Sequence, residues 1–238
     1  MTNDMQPIPP EVEPGADQGV DLAALRREYG AAGLHEDEAG ADPVDLFRRW
    51  FDDMVAAGVH EPNAMVVATV AADGQPSART VLLKRFGGDG FVFFTNAASR
   101  KGTELADNPR CALLFGWYDV ERQVRVEGVA EPLPAEEVAA YFATRPRAAQ
   151  VGAWASAQSQ VVADRGALDV SYAAAQERFA GEEQLPVPPT WGGYLVRPTA
   201  FEFWQGRPGR MHDRLRFRRT DAAVGAAGAT WLRERLAP

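Results

Sequence analysis

The sequence predicts an α+β protein that is mainly β, in which a small antiparallel barrel is flanked by helices. Apolar runs of strand length follow one another between Ala64 and Leu133 and are joined by short turns. No strand–helix–strand rhythm and no glycine-rich dinucleotide fingerprint accompanies them, which argues against a parallel Rossmann sheet. Five or six antiparallel strands with short connections favour a small closed barrel.

Composition and charge restrict the classes of function. The 238 residues are 46% hydrophobic and 24% charged, which is typical of a soluble globular protein. The formal net charge of -8 argues against general binding to nucleic acid or to an acidic membrane. No apolar run approaches the roughly 18 residues of a membrane span, and the first twenty residues carry no Lys or Arg, so we expect a cytoplasmic protein. The single cysteine, Cys111, lies in an apolar run and is expected in the core. No metal site is predicted.

The first part of the chain is predicted to hold a tail and two helices. Residues 1–20 are rich in Pro, Asp and Glu and are expected to be a mobile tail, with residues 21–238 forming one domain. A short helix is expected over Leu22–Tyr29. After Asp42-Pro43 a stronger helix is expected over Val44–Ala57, because five apolar residues recur at helical spacing, namely Leu46, Phe47, Trp50, Phe51 and Met54.

Strands are expected from residue 64 onward. Ala64–Val70 and Ser77–Lys84 form one pair around the Asp73-Gly74 turn. The runs Thr80–Leu83 and Phe91–Thr95 flank Gly87-Gly88-Asp89-Gly90 and predict a second hairpin. Further strands are expected over Cys111–Tyr118, Glu121–Leu133, Trp191–Pro198 and Phe201–Gln205.

The region between the last strands is expected to be helical with loops. A helix is predicted from Pro134 to Arg145 and another from Gly166 to Ala180, separated by a loop over Ala148–Gln160. Residues 181–189 are polar and contain three prolines, so they are expected to form a loop. Asp221–Thr230 is rich in Ala and Gly and predicts a loose turn before the final segment.

The start of one short helix predicts an anion site. Ser99 is a candidate N-cap for a helix over Arg100–Asp107 that Asn108-Pro109 ends. Arg100 and Lys101 therefore stand at the positive end of the helix dipole, which is unfavourable unless an anion is bound. Free N–H groups and two cations at a strand end fit a phosphate. We interpret this stretch as half of the site for a phosphate-bearing cofactor.

Two other groupings have a functional and a structural interpretation. Tyr141 and Arg145 are four apart and share a helix face, which on spacing alone is more often a solvated face than a ligand site. Arg210, His212 and Arg214 would share one face of an extended chain, as ligand-binding groups or as charged residues of an edge strand.

The positions of Arg79 and Lys84 on their predicted strand have two interpretations. Arg79 and Lys84 are five apart, so a regular strand places them on opposite faces. Either a bulge intervenes or they serve different ligands.

Nine short motifs follow one another along most of the chain. They are Arg79-Thr-Val-Leu-Leu-Lys84, Phe94-Thr-Asn-x-x-Ser99-Arg-Lys101, Glu121-Arg-Gln123-Val, Tyr141-Phe-x-x-Arg145-Pro-Arg, Gly152-Ala-Trp, Gln158-Ser159, Trp191-Gly-Gly, Glu202-Phe-Trp204-Gln-Gly and Arg210-x-His212-Asp-Arg214. Each motif is weak alone, but their order and spacing are specific. From about Leu25 to Pro238 the chain resembles the pyridoxamine/pyridoxine 5'-phosphate oxidases.

The resemblance implies a fold, an assembly and a set of site residues. The fold would be an FMN-binding split β-barrel of antiparallel Greek-key type, working as a homodimer with FMN at the subunit interface. Residues 191–238 would carry the dimerisation and substrate segment. Implied cofactor-binding residues are Arg79, Thr80, Val81, Leu82, Leu83, Lys84, Phe94, Thr95, Ser99, Arg100, Lys101, Gln123, Gln158, Ser159, Trp204 and Arg214. Implied substrate-binding residues are Arg26, Tyr29, Lys84, Tyr141, Arg145, Arg210 and His212, with Arg210 and His212 also catalytic.

The implied activity belongs to vitamin B6 metabolism. Pyridoxamine 5'-phosphate or pyridoxine 5'-phosphate would be oxidised by O2 to pyridoxal 5'-phosphate and H2O2, with a hydride passing from the 4' carbon to N5 of FMN. Ala149 stands where the family usually has serine, so we expect weaker substrate binding and a higher KM rather than lost activity. The alternatives are a protein that binds FMN or pyridoxal phosphate without turnover, and a split-barrel flavoenzyme acting on another substrate.

Overall fold

A computed structural model describes residues 28–30, 33–220 and 229–238. This part of the chain forms strands and helices in the order α1 Glu36–Ala39, α2 Pro43–Ala56, β1 Ala64–Val70, β2 Pro76–Leu82, β3 Arg85–Gly87, β4 Gly90–Asn96, α3 Arg100–Asp107, β5 Arg110–Trp117, β6 Arg122–Pro132, α4 Ala135–Ala143, α5 Arg147–Ala155, α6 Arg165–Arg178, β7 Trp191–Gln205, β8 Asp213–Arg219 and β9 Trp231–Arg235. The tail predicted over residues 1–20 lies outside the described residues, as do most of the predicted helix Leu22–Tyr29 and of the turn Asp221–Thr230. No helix of the described ranges is long and apolar enough to cross a membrane.

All strand pairs are antiparallel and belong to one curled sheet. The order is β2-β1-β5-β6-β7-β4-β3, and β8 and β9 extend the sheet from β7. Consecutive strands β4 and β5 lie three positions apart, a connection of the Greek-key kind. The two edge strands β2 and β3 meet at one end through Leu83 and Lys84, whose N–H groups donate to Asn63 and Val92. The predicted closed barrel is therefore a barrel closed at one end and split elsewhere.

The second predicted hairpin has a different first arm. Thr80–Leu82 belongs to β2 and pairs with β1, in the register that places Val70 opposite Pro76. The strand that pairs with β4 around the glycine turn is the short β3. The prediction that Thr80–Leu83 pairs with Phe91–Thr95 is wrong, because the alternating pattern of β2 is satisfied by β1. Lys84 follows β2 and is not part of it, so the strand-parity argument does not apply to Lys84.

Strand β7 is continuous where the sequence predicted two strands. Its first half pairs with β4 and its second half with β8 along one side, while β6 follows it along the other. Pro198 lacks an N–H and was taken as a strand end. Pro198 lies between the stretch of β7 that pairs with β4 and the stretch that pairs with β8, so neither of these strands requires a hydrogen bond from it. On the other side of β7, the register of β6 shifts at Glu127/Gly128 and accommodates the proline. A side chain at Gly128 would approach the Arg197 carbonyl oxygen to 2.4 Å.

The main core lies between the sheet and helix α2. Helix α2 confirms the predicted helix within one residue, with Asp42 accepting a hydrogen bond from the Val44 N–H and Pro43 in the first turn. Four of the five predicted apolar residues of its face are buried, and Phe51 packs at the edge. Phe47 has no exposed surface and contacts five aromatic rings, those of Phe51, Phe86, Phe91, Phe115 and Trp117. Cys111 is buried in this core, and burial raises the pKa of its thiol to about 12.

A smaller core joins helices α4, α5 and α6. It is made by Phe142, Val151, Ala175, Phe179 and Leu185. The prediction of a loop over residues 148–160 is wrong in its first half, because helix α5 runs to Ala155. The helix packs against α6, and Arg147 at its start donates to the carbonyl oxygens of Phe179 and Glu182. This tertiary support compensates for a sequence without strong apolar periodicity.

Candidate functional site

A cavity of about 850 Å³ opens beside β2, β4 and the start of α3. It is also lined by the end of α4, by the loop after α5 and by the first residue of β7. The cavity brings together most residues predicted to bind a cofactor or a substrate phosphate. These are Arg79, Thr80, Val81, Leu82, Lys84, Phe94, Thr95, Arg100, Lys101, Tyr141, Arg145, Gln158 and Ser159.

The start of α3 is held close to the end of β4. A side chain at Gly102 would meet the Ala97 carbonyl oxygen at 2.1 Å, so only glycine permits this approach. Ser99 occupies the predicted N-cap position, but its hydroxyl donates to the Asn96 carbonyl instead of capping the helix. The first intrahelical bond is from the Thr103 N–H to the Ser99 carbonyl. The preceding N–H groups have no intrahelical acceptor, which is the usual basis of anion binding at a helix start.

Lys101 is a buried cation beside this helix start. Its Nζ donates to the Thr95 hydroxyl at 3.0 Å, to the Ser99 hydroxyl at 3.2 Å and to the Gln158 amide oxygen at 2.8 Å. All three partners are neutral, and no carboxylate of the described residues forms an ion pair with Lys101. Burial lowers the pKa of Lys101 below its ordinary value, and the nearby charge of Arg79 acts in the same direction. A buried ammonium group without a counter-ion is costly, so the cavity favours an anion at this point.

The other two cations near α3 share one carboxylate, that of Glu104. Arg100 donates from Nε to Glu104 Oε1 at 2.8 Å, and Arg79 donates from Nη2 to Oε2 at 3.2 Å. The hydroxyl groups of Thr69 and Ser77 also donate to Glu104 and anchor it to the β1–β2 hairpin. The sequence analysis did not single out Glu104; its spacing of four from Arg100 on a helix was the available signal.

Glu104 stays ionised although it is buried. Burial opposes the charged form, but hydrogen bonds from Thr69, Ser77 and Arg100 outweigh it and lower the pKa of Glu104 to about 2. The carboxylate is therefore a negative charge at neutral pH. Because Arg79 also donates to Thr69, Ser77 and the Val67 carbonyl, both of its Nη groups are engaged within the protein. Arg79 contributes mainly its charge to the cavity.

A second cation lines another part of the cavity. Arg145 follows α4, and its guanidinium lies 4.1 Å from the centroid of the Trp191 ring. Its Nη1 is buried and has no hydrogen-bond partner, and burial lowers the pKa of Arg145 from its ordinary value. Tyr141 acts in the opposite direction on this pKa, and its ring stacks on Phe94 with 3.8 Å between centroids. A half-buried guanidinium whose buried Nη1 is unpaired, next to a fixed tyrosine, suits a phosphate.

The surroundings of Arg145 include the one departure from the resembled family. A smaller cavity of about 230 Å³ is lined by Arg145 and Trp191 together with Ala149, Asn96 and Ser156. Ala149 offers no hydroxyl at this place. The expected increase in KM stays a prediction.

A second group of predicted residues gathers at the junction of β7 and β8. The rings of Trp204 and His212 have centroids 4.7 Å apart, and Tyr29 contacts both edge-on, at 5.8 and 5.5 Å. His212 Nδ1 accepts a hydrogen bond from the Arg207 N–H at 3.1 Å. In the neutral imidazole the proton is therefore on Nε2, and His212 presents an N–H donor.

Gln123, Trp204 and Arg214 form one row across three strands. Gln123 of β6 lies opposite Trp204 of β7, which lies opposite Arg214 of β8. Buried Glu202 fixes this row, because it accepts hydrogen bonds from Arg214 Nε at 2.8 Å and from Arg125 at 2.7 Å. Glu202 is a second residue to which the sequence analysis gave no role.

The expected alternation of Arg210, His212 and Arg214 along one strand is wrong. Strand β8 begins at Asp213, and Arg210 ends a 3₁₀ turn over Pro208–Arg210. Arg210 has φ of 63°, a left-handed conformation that breaks the extended chain. Among the cavity residues Ser159 also has such a conformation, with φ of 72°. Backbone strain of this kind is common where a side chain is held for a ligand.

The two groups of residues lie at opposite ends of β7. Trp191 lines the cavity and Trp204 belongs to the ring cluster, and thirteen strand residues separate them by about 40 Å along the strand. Leu83 is buried in the core and does not line the cavity. Ser99 does not line it either, but its hydroxyl accepts a hydrogen bond from Lys101 Nζ. Arg26 lies outside the described residues.

The lowered pKa of Glu104 predicts a pH-dependent contribution to stability. The stabilisation is present above about pH 4.5 and is lost as the pH falls toward 2, where the folded carboxylate becomes protonated. We expect Glu104→Gln to be less stable than the wild type at pH 6, with the difference shrinking at pH 3, as measured by urea unfolding. Asp107→Asn, exposed at the other end of the same helix, is the control and should show no such difference. A Glu104→Gln deficit that is the same at both pH values would contradict the assignment.

Comparisons with known proteins agree with the family resemblance seen in the sequence. A family model described as pyridoxamine 5'-phosphate oxidase matches residues 51–179. A model described as pyridoxine 5'-phosphate oxidase C-terminal dimerisation region matches residues 191–238. The pyridoxine/pyridoxamine 5'-phosphate oxidase of Nocardioides sp. is 57% identical over 219 residues, which are 92% of this chain and 99% of that protein. The protein of the same name from Salinibacter ruber is 54% identical over 91% of this chain and 99% of its own length.

Solved structures give the same answer for the fold. The crystal structure of PhzG from Burkholderia lata in complex with tetrahydrophenazine-1-carboxylic acid has a TM-score of 0.78 and 30% identity, and covers 89% of this chain and 100% of that chain. A pyridoxamine 5'-phosphate oxidase-related, FMN binding protein from Nostoc punctiforme has a TM-score of 0.64 at 17% identity, covers 84% of this chain and 100% of its own, and shows the fold alone. The predicted family and fold class are confirmed. The chain belongs to the pyridoxamine 5'-phosphate oxidase family.

Proposed function

We propose that this chain is an FMN-dependent oxidase that converts pyridoxamine 5'-phosphate or pyridoxine 5'-phosphate into pyridoxal 5'-phosphate. One observation carries the proposal. A single cavity holds two separate cations, the buried Lys101 and the half-buried Arg145 with its buried Nη1, and neither forms an ion pair with a carboxylate of the described residues. Two unpaired cations require two anions, which matches a cofactor phosphate and a substrate phosphate bound side by side.

FMN is the cofactor of this family, and the residues at the start of α3 fit its phosphate. Lys101, Arg100 and the free N–H groups of the first helical turn would hold the phosphate, with Arg79 adding its charge. Cavity residues Thr95, Gln158 and Ser159 would contact the rest of the cofactor. When bound, FMN supplies a hydride acceptor at N5, and O2 is the final electron acceptor, giving H2O2.

The substrate phosphate is assigned to the second cation. Arg145 would pair with it through the free Nη1, while the Tyr141 hydroxyl and Lys84 line the same cavity. Binding the phosphate far from the reacting 4' carbon orients the pyridine ring and supplies part of the catalytic binding energy.

His212 and Arg210 are assigned to the amine or hydroxyl of the substrate. Because Nδ1 of His212 is occupied by the Arg207 N–H, Nε2 acts as a hydrogen-bond donor to the substrate. Arg210 is exposed beside it and keeps its guanidinium available. These residues orient the reacting group. Tyr29 covers the same ring cluster and would close over the substrate.

A homodimer is part of the proposal. The cavity and the ring cluster lie at opposite ends of β7, too far apart for one chain to surround a single flavin with both. The match of residues 191–238 to a dimerisation region supports the assembly. In a two-fold dimer the cavity of one protomer faces Gln123, Trp204, Arg210, His212 and Arg214 of its partner.

Two alternatives have different consequences. PhzG, the structural relative at 30% identity, was solved with tetrahydrophenazine-1-carboxylic acid, a compound without phosphate. An enzyme for such a compound would not need the buried Arg145. A protein that binds FMN or pyridoxal phosphate without turnover would have the same cavity but would give no reduction of the flavin.

An anaerobic half-reaction tests the proposed activity directly. We expect the FMN-loaded protein to lose its visible flavin absorbance when pyridoxine or pyridoxamine 5'-phosphate is added without oxygen, and to regain it in air. The product should be pyridoxal 5'-phosphate, measured by its own absorbance after the protein is removed. Bound flavin that stays oxidised with both substrates would contradict the activity and favour one of the alternatives.

Replacing Arg145 tests the substrate assignment. We expect Arg145→Met to raise KM for the phosphorylated substrate by about 10-fold to 100-fold, because a hydrogen-bonded charge pair is lost. FMN affinity should not change. The control is Arg165→Met, which removes an arginine that is 82% exposed on α6. Weaker FMN binding with an unchanged KM would move Arg145 to the cofactor.

A further inference from the structure

Arg100 depends on one residue for its position. It stands in the first turn of α3, where the helix dipole repels a cation, and its side chain is 55% exposed. Its Nε donates to Glu104, and its two Nη groups donate to no acceptor within the described residues. Without Glu104 the side chain would be a solvated arginine with many rotamers. The hydrogen bond to Glu104 fixes the orientation of the Arg100 guanidinium and leaves its two Nη groups free to bind a ligand.

Glu104 is in turn rigidly held. The carboxylate is 4% exposed, and Thr69 and Ser77 connect it to two strands of the sheet. Both oxygens are hydrogen-bonded, Oε1 by Ser77 and Arg100 and Oε2 by Thr69, Ser77 and Arg79. The three cations and one carboxylate at this end of the cavity leave a formal charge of two, which equals that of a phosphate dianion.

We propose that Glu104 is a positioning residue for the phosphate of the cofactor, acting through Arg100. It does not touch the phosphate; it fixes the guanidinium whose free edge does. This inference rests on the proposed function, because the phosphate in question is that of FMN. The strength of the hydrogen bond between Arg100 and the phosphate depends on an oriented guanidinium. The extra attraction gained by removing the charge of Glu104 acts from a greater distance and is weaker. Removing Glu104 therefore weakens phosphate binding although it makes the site more positive.

Affinities for FMN and riboflavin separate positioning from a merely structural role. Riboflavin lacks the phosphate, so a defect confined to Arg100 leaves its binding unchanged. We expect Glu104→Gln to weaken FMN binding by about tenfold, measured by flavin fluorescence on titration of the apoprotein, with riboflavin affinity unchanged. Asp107→Asn removes one negative charge from the same helix and should change neither affinity.

Two further variants keep the inference testable if Glu104→Gln folds poorly. Glu104→Asp keeps the charge but withdraws it by one methylene from Arg100, so it should also weaken FMN selectively. In an Arg100→Gln background, Glu104→Gln should add little further loss of FMN affinity, because both changes remove the same contact. Full additivity of the two changes would overturn the mechanism through Arg100.

Other outcomes also decide the question. Equal losses for FMN and riboflavin would assign Glu104 a structural role, and unchanged or tighter FMN binding would overturn the inference. Lys101→Met distinguishes this failure from a failure of the proposed function. If Lys101→Met weakens FMN while Glu104→Gln does not, only the role of Glu104 is lost. If neither variant changes FMN affinity, the cofactor site itself is wrongly assigned.

Discussion

The continuous ladder of β7 is the constraint on which the rest of the structure depends. One strand of fifteen residues joins β4, β6 and β8, so the core sheet and the C-terminal strands become a single sheet. The same strand separates the cavity from the ring cluster of Trp204 and His212 by its own length. A protein built on such a strand cannot complete both groups around one ligand within one chain. The proposed dimer follows from the length of the strand as much as from the family.

Unbalanced positive charge in the cavity is the second theme. The protein as a whole is acidic, with a formal net charge of -8, yet the cavity collects Arg79, Arg100, Lys101 and Arg145. Folding buries Lys101 and part of Arg145 without an ion pair to a carboxylate among the described residues, which costs stability. Glu104 offsets part of this cost and leaves a charge that a phosphate balances. Binding sites commonly retain such a local cost for the sake of ligand affinity.

Local patterns predicted helix α2, helix α3 and most strands, because apolar period and helix caps act within a few residues. The position of Arg100 and Lys101 at a helix start was also predictable, and their role in binding an anion stays a prediction. Helix α5 was missed because contacts with α6 stabilise it, and the false hairpin arose because β2 could pair equally well with either neighbour by pattern. Glu104 and Glu202 received no role because most partners of these buried carboxylates come from other elements that are distant in sequence.

The most direct test of the composite site is complementation between two impaired variants, assayed at a substrate concentration far below the raised KM of the Arg145 variant. Arg145→Ala removes the substrate phosphate site of the cavity, and His212→Ala removes a donor from the ring cluster. When the two proteins are refolded together, half of the dimers should be mixed and each should contain one intact site, giving about one quarter of wild-type activity. Recovery near that level is what the account predicts. Mixed dimers that form, as verified by differently tagged chains, but recover no activity would contradict a site shared between subunits.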